Sequence, residues 1–308
     1  MNKSLARLAA VLVVAVATPA FGQATRTWVS GTGSDANPCS RTAPCQTFSG
    51  ALNKTATGGE INCLDAGGFG TLNITKSISI DCNGTHGSIL AANTNGVIVN
   101  GAGITVTLRN IAINGANTTI GNGVRILNAA AVNLDNVVIE NMQGTGTNGQ
   151  GVSIETSVSG VRVTMSNTSI YNTNNHGIHS NPGAGSVILT LDNVRIARGG
   201  ANAVFVRGNT TATVDHSWLV QNRNGAGVAV ESTMSTARIS NTMMGNNAFG
   251  ISSGIAGQTP TTFVYGSVIT GNTTAGILLS GGTVTSLGNN MFRGNTGNEA
   301  PTNTITTQ

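Results

Sequence analysis

An all-β solenoid is the fold this sequence predicts. Three observations predict it: a side-chain pattern that recurs roughly every twenty-five residues, a second pattern that advances in step with the first, and a glycine-rich, charge-poor composition. The first pattern is apolar-x-Asn-x-x-apolar, as in Leu108-Arg-Asn110-Ile-Ala-Ile113, Leu134-Asp-Asn136-Val-Val-Ile139, Met165-Ser-Asn167-Thr-Ser-Ile170 and Leu191-Asp-Asn193-Val-Arg-Ile196. Later copies drift but keep the frame: Val214-Asp-His216-Ser-Trp-Leu219, Ile239-Ser-Asn241-Thr-Met-Met244, Val264-Tyr-Gly266-Ser-Val-Ile269 and Leu287-Gly-Asn289-Asn-Met-Phe292. The second pattern is Gly or Ala followed by apolar-x-apolar, from Gly96-Val-Ile-Val99 through Gly151-Val-Ser-Ile154 to Gly276-Ile-Leu-Leu279. Of the 308 residues, 39% are hydrophobic, 8% are charged and 42 are glycine, a profile that suits stacked strands with tight corners and not a disordered chain.

The first element is a leader. Lys3 and Arg7 precede an apolar run from Leu8 to Ala17 and the small-residue stretch Thr18-Pro19-Ala20-Phe21-Gly22, so residues 1–22 read as a secretory signal peptide cleaved after Gly22. The apolar run is too short for a membrane span, and the mature chain is expected to be soluble and secreted or periplasmic. Removal of Lys3 and Arg7 leaves 13 basic against 11 acidic residues, a net charge of +2 in place of +4. That balance, with its scattered aromatics, argues against a nucleic-acid partner.

Residues 23–58 form the next element, an N-terminal loop and capping helix. All four cysteines fall between Cys39 and Cys82, which fits an oxidising compartment. Three pairings are open. Cys39 with Cys45 and Cys63 with Cys82 are favoured, because Ile61-Asn-Cys63 and Ile80-Asp-Cys82 repeat one motif and stacked coils would set their sulfurs one above the other. A zinc site is the competing reading, weakened by the lack of a CxxC pair. The segment 44–56 has apolar residues at helical spacing behind Pro44, so it is expected to be a short helix that covers the sticky N-terminal end of the solenoid.

The coiled body is placed at 59–295, with two shorter coils through Ile61 and Ile80 ahead of eight longer ones. Inward positions such as Leu108, Leu134 and Met165 should stack along the axis. The recurring asparagines Asn110, Asn136, Asn167, Asn193, Asn241 and Asn289 are read as a structural ladder, each amide bonding the matching amide of the next coil at a bent corner. A polar tail, 296–308, follows, with Ile305 placed to close the far end.

The run Thr27-Trp-Val-Ser-Gly-Thr-Gly-Ser-Asp-Ala-Asn-Pro-Cys39, then Pro44-Cys-Gln-Thr-Phe48, Gly59-Glu-Ile61, Gly67-Gly-Phe-Gly70 and Ile74-Thr-Lys-Ser-Ile78-Ser-Ile80, resembles the opening of secreted β-helix proteins of the pectin-lyase-like superfamily. The resemblance covers nearly the whole mature chain. It implies a single-stranded right-handed parallel β-helix with three sheets per turn, and relatives that act on acidic polysaccharides. Fold analogy does not by itself transfer catalysis.

The superfamily's polysaccharide hydrolases carry Asn-x-Asp and Asp-Asp motifs, then His-Gly and Arg-x-Lys, of which only His176-Gly177 is present. Pectate-type lyases need clustered carboxylates for calcium and a basic residue to remove a proton. Here Asp192 and Asp215 occupy equivalent positions on consecutive coils, with Asp135 two coils earlier, and a solvated edge is preferred over a cation; no metal and no cofactor are assigned.

Outward positions after the coil glycine give one column, Arg125, Ser153, His179, Phe205, Ala229, Ser252 and Leu278. Two residues on, Glu155, Asn181, Arg207 and Glu231 give another. The candidate ligand-binding residues are therefore Arg125, Glu155, His179, Phe205, Arg207 and Glu231, with Phe205 offered to a sugar ring, the arginines to carboxylates, and His179 with Glu155 to proton movement. The only catalytic candidates are His176, His179 and Arg207. An ordinary Arg207–Glu231 cross-strand pair is the plain alternative. The expected function is an exported glycan-binding or extracellular structural module with a polysaccharide as its partner; the alternative is a polysaccharide lyase or hydrolase with an atypical site.

Overall fold

The computed structural model describes residues 22–305, so the predicted signal peptide lies outside the described residues apart from Gly22. The chain winds into a parallel β-helix in which every named strand pairing is parallel, forming sheets of 12, 10 and 9 strands. In coil order these are the first, second and third sheets. A representative coil runs through Val161–Ser166 in the first, Ser169–Tyr171 in the second and Ile178–Ser180 in the third. The strands form because β-branched residues alternate with polar ones where one face is buried: Val187–Asp192 places Val187, Leu189 and Leu191 inside, and Ile188 and Asp192 outside.

The inward columns stack as the repeat requires. Leu134 pairs with Leu108 on one side and Met165 on the other, and all three are buried. Val97, Val124, Val152, Ile178, Val204, Val228, Ile251 and Ile277 form the matching column of the third sheet. Each such fully buried side chain stabilises by about 1.5–3 kcal/mol relative to exposure, which is why the apolar frame survives as other positions drift.

Corners follow from backbone conformation. Asn110, Asn136, Asn167, Asn193, Asn241 and Asn289 all have φ between 47° and 57°, and His216 (44°) and Gly266 (57°) take the same place in their coils. Asparagine tolerates this left-handed region better than other residues with a Cβ. The amide ladder along this corner is broken into short runs. Asn136 donates to Asn110 and Asn193 to Asn167, both at 2.8 Å, whereas Asn110 donates to Asp81, Asn167 to Asp135 and Asn241 to Asp215. The carboxylate before the corner thus substitutes for the neighbouring amide.

A second ladder was not anticipated from the sequence. Asn222, Asn247 and Asn272 lie inside the coil, three residues after Leu219, Met244 and Ile269, and are bonded in series to Asn295. Their amides also cap interior carbonyls of Leu219, Met244 and Ile269.

Several expectations are corrected at the ends. The helix spans Phe48–Lys54 rather than 44–56, because Thr47 caps it by accepting from the Gly50 N–H and Thr55 already begins a strand. Phe48, Ala51 and Leu52 are its buried face. The first sheet starts earlier than residue 59, since Ala24–Val29 pairs with Thr55–Cys63. In the last coil Ser286, not Leu287, stacks on Val264, so an extra residue precedes the Asn289 corner and Leu287 is pushed outward. The far end is closed by Asn303–Thr304 pairing with Thr285 and Ser286, while Ile305 is 55% exposed. Both disulfides, Cys39–Cys45 and Cys63–Cys82, are formed, with Cα separations of 4.6 and 4.7 Å, and no free cysteine is left for zinc. Among the described residues, no helix is long and apolar enough to cross a membrane.

Candidate functional site

The register of the third sheet lines up Arg125, Ser153, His179, Phe205, Ala229 and Ser252 on consecutive strands. All six of the candidate ligand-binding residues fall on this face near the middle of the rod. What the alignment could not reveal is how strongly they engage one another.

Arg125 meets Glu155 through two hydrogen bonds, Nη2 to Oε2 at 2.7 Å and Nε to Oε1 at 3.1 Å, and Ser153 donates to the same Oε1 at 2.7 Å. Burial pushes the Glu155 carboxyl upward, but these hydrogen bonds and the Arg125 charge outweigh it and hold the pKa below the usual value. Arg207 lies 3.3 Å from Glu231 and also stands over the Phe205 ring at 5.5 Å. Burial wins at Glu231, whose pKa is raised despite the opposing Arg207 charge.

Between these pairs sits an aromatic cluster. The His179 and Phe205 rings stack at 5.0 Å, and His176 lies 4.4 Å from Phe205 and 5.1 Å from His179. Phe249 packs against the patch formed by Phe205, Ala226 and Ala229. Phe205 is only 7% exposed, so it is a buried spacer under Arg207 rather than a platform presented to a sugar ring. Burial, then the neighbouring His179 and Arg207, push the His176 pKa down to about 3. Burial and Arg207, opposed by Glu155, push His179 down to about 4. Both imidazoles are therefore neutral at physiological pH. His176 Nδ1 accepts from the Asn202 N–H at 3.2 Å, and His179 Nδ1 lies 3.1 Å from Gln150 Nε2. His179 Nε2 and Gln150 Oε1 are buried without a hydrogen-bond partner. Such orphaned polar atoms cost about 1–3 kcal/mol each.

The first-to-second sheet corner holds the other feature considered. Asp192 and Asp215 are adjacent in register, and His216, which sequence reasoning missed as a ligand, joins them: its Nδ1 is 3.0 Å from Asp215 Oδ2 and 3.8 Å from Asp192 Oδ1. These three could hold a metal ion, but all are at least partly exposed, a setting in which acidic groups commonly stand without one. Asp135 does not belong to the group; its Oδ1 accepts from Ser166 and Asn167, each at 3.0 Å.

No protein-family model and no curated protein sequence matches the chain. Solved structures do. A pectate lyase superposes with a TM-score of 0.56 at 15% identity, over 85% of this chain and 68% of its own. The fold is a right-handed parallel β-helix. A rhamnogalacturonan lyase matches this β-helix with a TM-score of 0.52 at 13% identity, over 87% of this chain and 75% of that one. A GH136 lacto-N-biosidase from Eubacterium ramulus matches with 0.53 at 12% identity, over 91% and 66%. At such identities the likeness establishes the β-helix and leaves the chemistry to this chain's own residues.

Proposed function

We propose that this protein is an exported β-helix module that binds a glycan on the mid-rod face of its third sheet. The observation that carries the reading is the convergence of Arg125, Glu155, His179, Arg207 and Glu231 on consecutive coils, with both arginines closed onto glutamates and both histidines neutral. Rigid ion pairs present fixed donors and acceptors to sugar hydroxyls without further ordering cost. Two disulfides suit the oxidising exterior where polysaccharides are met, and the solved β-helices similar in fold are named for glycan chemistry.

The alternative, a lyase or hydrolase, draws support from the paired His176 and His179 and, separately, from Glu231, whose raised pKa is what a general acid needs. One assay separates the two. The purified mature protein is run in gels containing neutral or acidic polysaccharides, and the same mixtures are followed for unsaturated products and reducing ends. Retarded migration without product supports the binding module. Product formation abolished by His179→Ala or Arg207→Ala overturns it in favour of the enzyme.

A further inference from the structure

A second concave site lies on the corner between the second and third sheets, and none of the aromatic-cluster residues line it. It is a trough of about 840 Å³ spanning several coils, and its walls include Gln143, Arg198, Gln221, Arg223, Asn224 and Asn246. Two adjacent glycines line it. Where the coil before has Thr173-Asn174 and the coil after has Asn222-Arg223, this coil has Gly199-Gly200. A Cβ on Gly199 would lie 2.5 Å from Asn222 Oδ1, and one on Gly200 would lie 2.2 Å from the Asn174 carbonyl oxygen. Side chains at these two positions would collide with the neighbouring coils.

The lining is one-signed. It contains two guanidinium groups and several side-chain amides, and no carboxylate. Arg125 and Arg207 are matched to glutamates on the third sheet, whereas Arg198 and Arg223 form no ion pair among the described residues. Arg198 instead rests over the Tyr171 ring at 5.4 Å, with Arg195 at 6.0 Å from the same ring. That stacking holds its charge at the trough's edge and leaves the guanidinium N–H groups free. Two unpaired arginine forks over an amide-lined floor match a ligand that carries repeated planar anionic groups among hydroxyls.

We infer that this trough is an anion subsite for acidic sugar residues, with Arg198 and Arg223 gripping carboxylate or sulfate groups while Gln221, Asn224 and Asn246 hydrogen-bond neighbouring hydroxyls. The inference rests on the glycan-binding reading and sharpens it, since the trough selects acidic over neutral polymers. Calorimetric titrations with polygalacturonate, dextran sulfate and neutral galactan test it, using the full mature chain, the Arg198→Gln/Arg223→Gln double variant, an Arg238→Gln variant as a charge control on the first sheet, and Arg207→Gln. All substituted trough residues are exposed, so folding is checked simply by circular dichroism. The double variant should lose about tenfold or more in affinity for the acidic polymers, keep galactan binding, and show a flatter salt dependence. Preference for polygalacturonate over dextran sulfate assigns the subsite to carboxylates, and the reverse assigns it to sulfate esters. Undiminished acidic binding in the double variant, or an equal loss in Arg238→Gln, overturns the trough while leaving the glycan reading intact if Arg207→Gln still weakens binding. Failure of the wild-type chain to bind any of the three polymers overturns both.

Discussion

Replacing Asn247 by leucine asks whether the interior amide ladder, and not the apolar columns alone, holds the C-terminal half of the rod together. Asn247 is 1% exposed. Its Oδ1 accepts from the backbone N–H and from Nδ2 of Asn222, at 2.9 Å each, and its Nδ2 donates to the Leu219 carbonyl at 2.9 Å. Leucine fills nearly the same space but leaves the Asn222 N–H without its acceptor and the Leu219 carbonyl without this donor. Asn222 Nδ2 keeps a bond to the Val220 carbonyl at 3.2 Å, and the Leu219 carbonyl keeps its ladder partner on the parallel strand Met243–Gly245, so the Asn222 N–H is the one group orphaned. At about 1–3 kcal/mol for that group, less about 1 kcal/mol regained from the apolar side chain, the net loss is about 1 kcal/mol. Urea unfolding followed by circular dichroism measures it. Because stacked repeats can open in segments, hydrogen exchange should accompany the titration. Protection should fall in the coils through Leu219, Met244 and Ile269 and stay unchanged near Ile61 and Ile80. A variant within about 0.5 kcal/mol of wild type would refute the argument, since that is the range of an innocuous surface change.

Cys63→Ala/Cys82→Ala opens a link of sequence separation 19 and should cost about 3 kcal/mol of stability, read as a lowered Tm. Phe205→Ala removes the ring shared by His176, His179 and Phe249, and a loss of about 3 kcal/mol in denaturant unfolding is expected, the low end for a buried phenylalanine because one side is covered only by the Arg207 side chain. His176 and His179 titrate near 3 and 4 when folded, below the ordinary 6.5. The unfolded chain therefore binds more protons than the folded one as pH falls from about 6.5 toward 4, and stability should drop through that window and hold above it. Urea midpoints at pH 7 and pH 4.5, compared with those of His179→Phe, read this directly; a wild-type midpoint as insensitive to pH as the variant's contradicts the buried neutral dyad.

The fold was legible because a solenoid writes its geometry into one period. Leu108, Leu134 and Met165 recur in frame, and stacking is the only arrangement in which each strand gains a neighbour on both sides. The pairing of Cys63 with Cys82 was readable for the same reason. The slip at Leu287 was not, because an inserted residue beside a glycine leaves the Asn289 corner in place while moving the inward position to Ser286. The interior ladder of Asn222, Asn247, Asn272 and Asn295 had a signal, asparagine three residues after each inward apolar position. It was masked by the many asparagines at the outer corners. For the candidate site, period placed Arg125, His179, Phe205 and Arg207 on one face, yet side-chain pairing is invisible to period. Arg207 covers Phe205 because of its rotamer and length. Arg198 and Arg223 were overlooked because period places residues on a coil without showing which corner side chains frame a common trough.

The most direct measurement is a crystal structure of the mature protein with a bound oligosaccharide. An ordered sugar on the third sheet, within hydrogen-bond distance of Arg207 or Glu231, is the expected result. An ordered sugar seated instead on the outer face of the first sheet, with the third sheet bare, would contradict it.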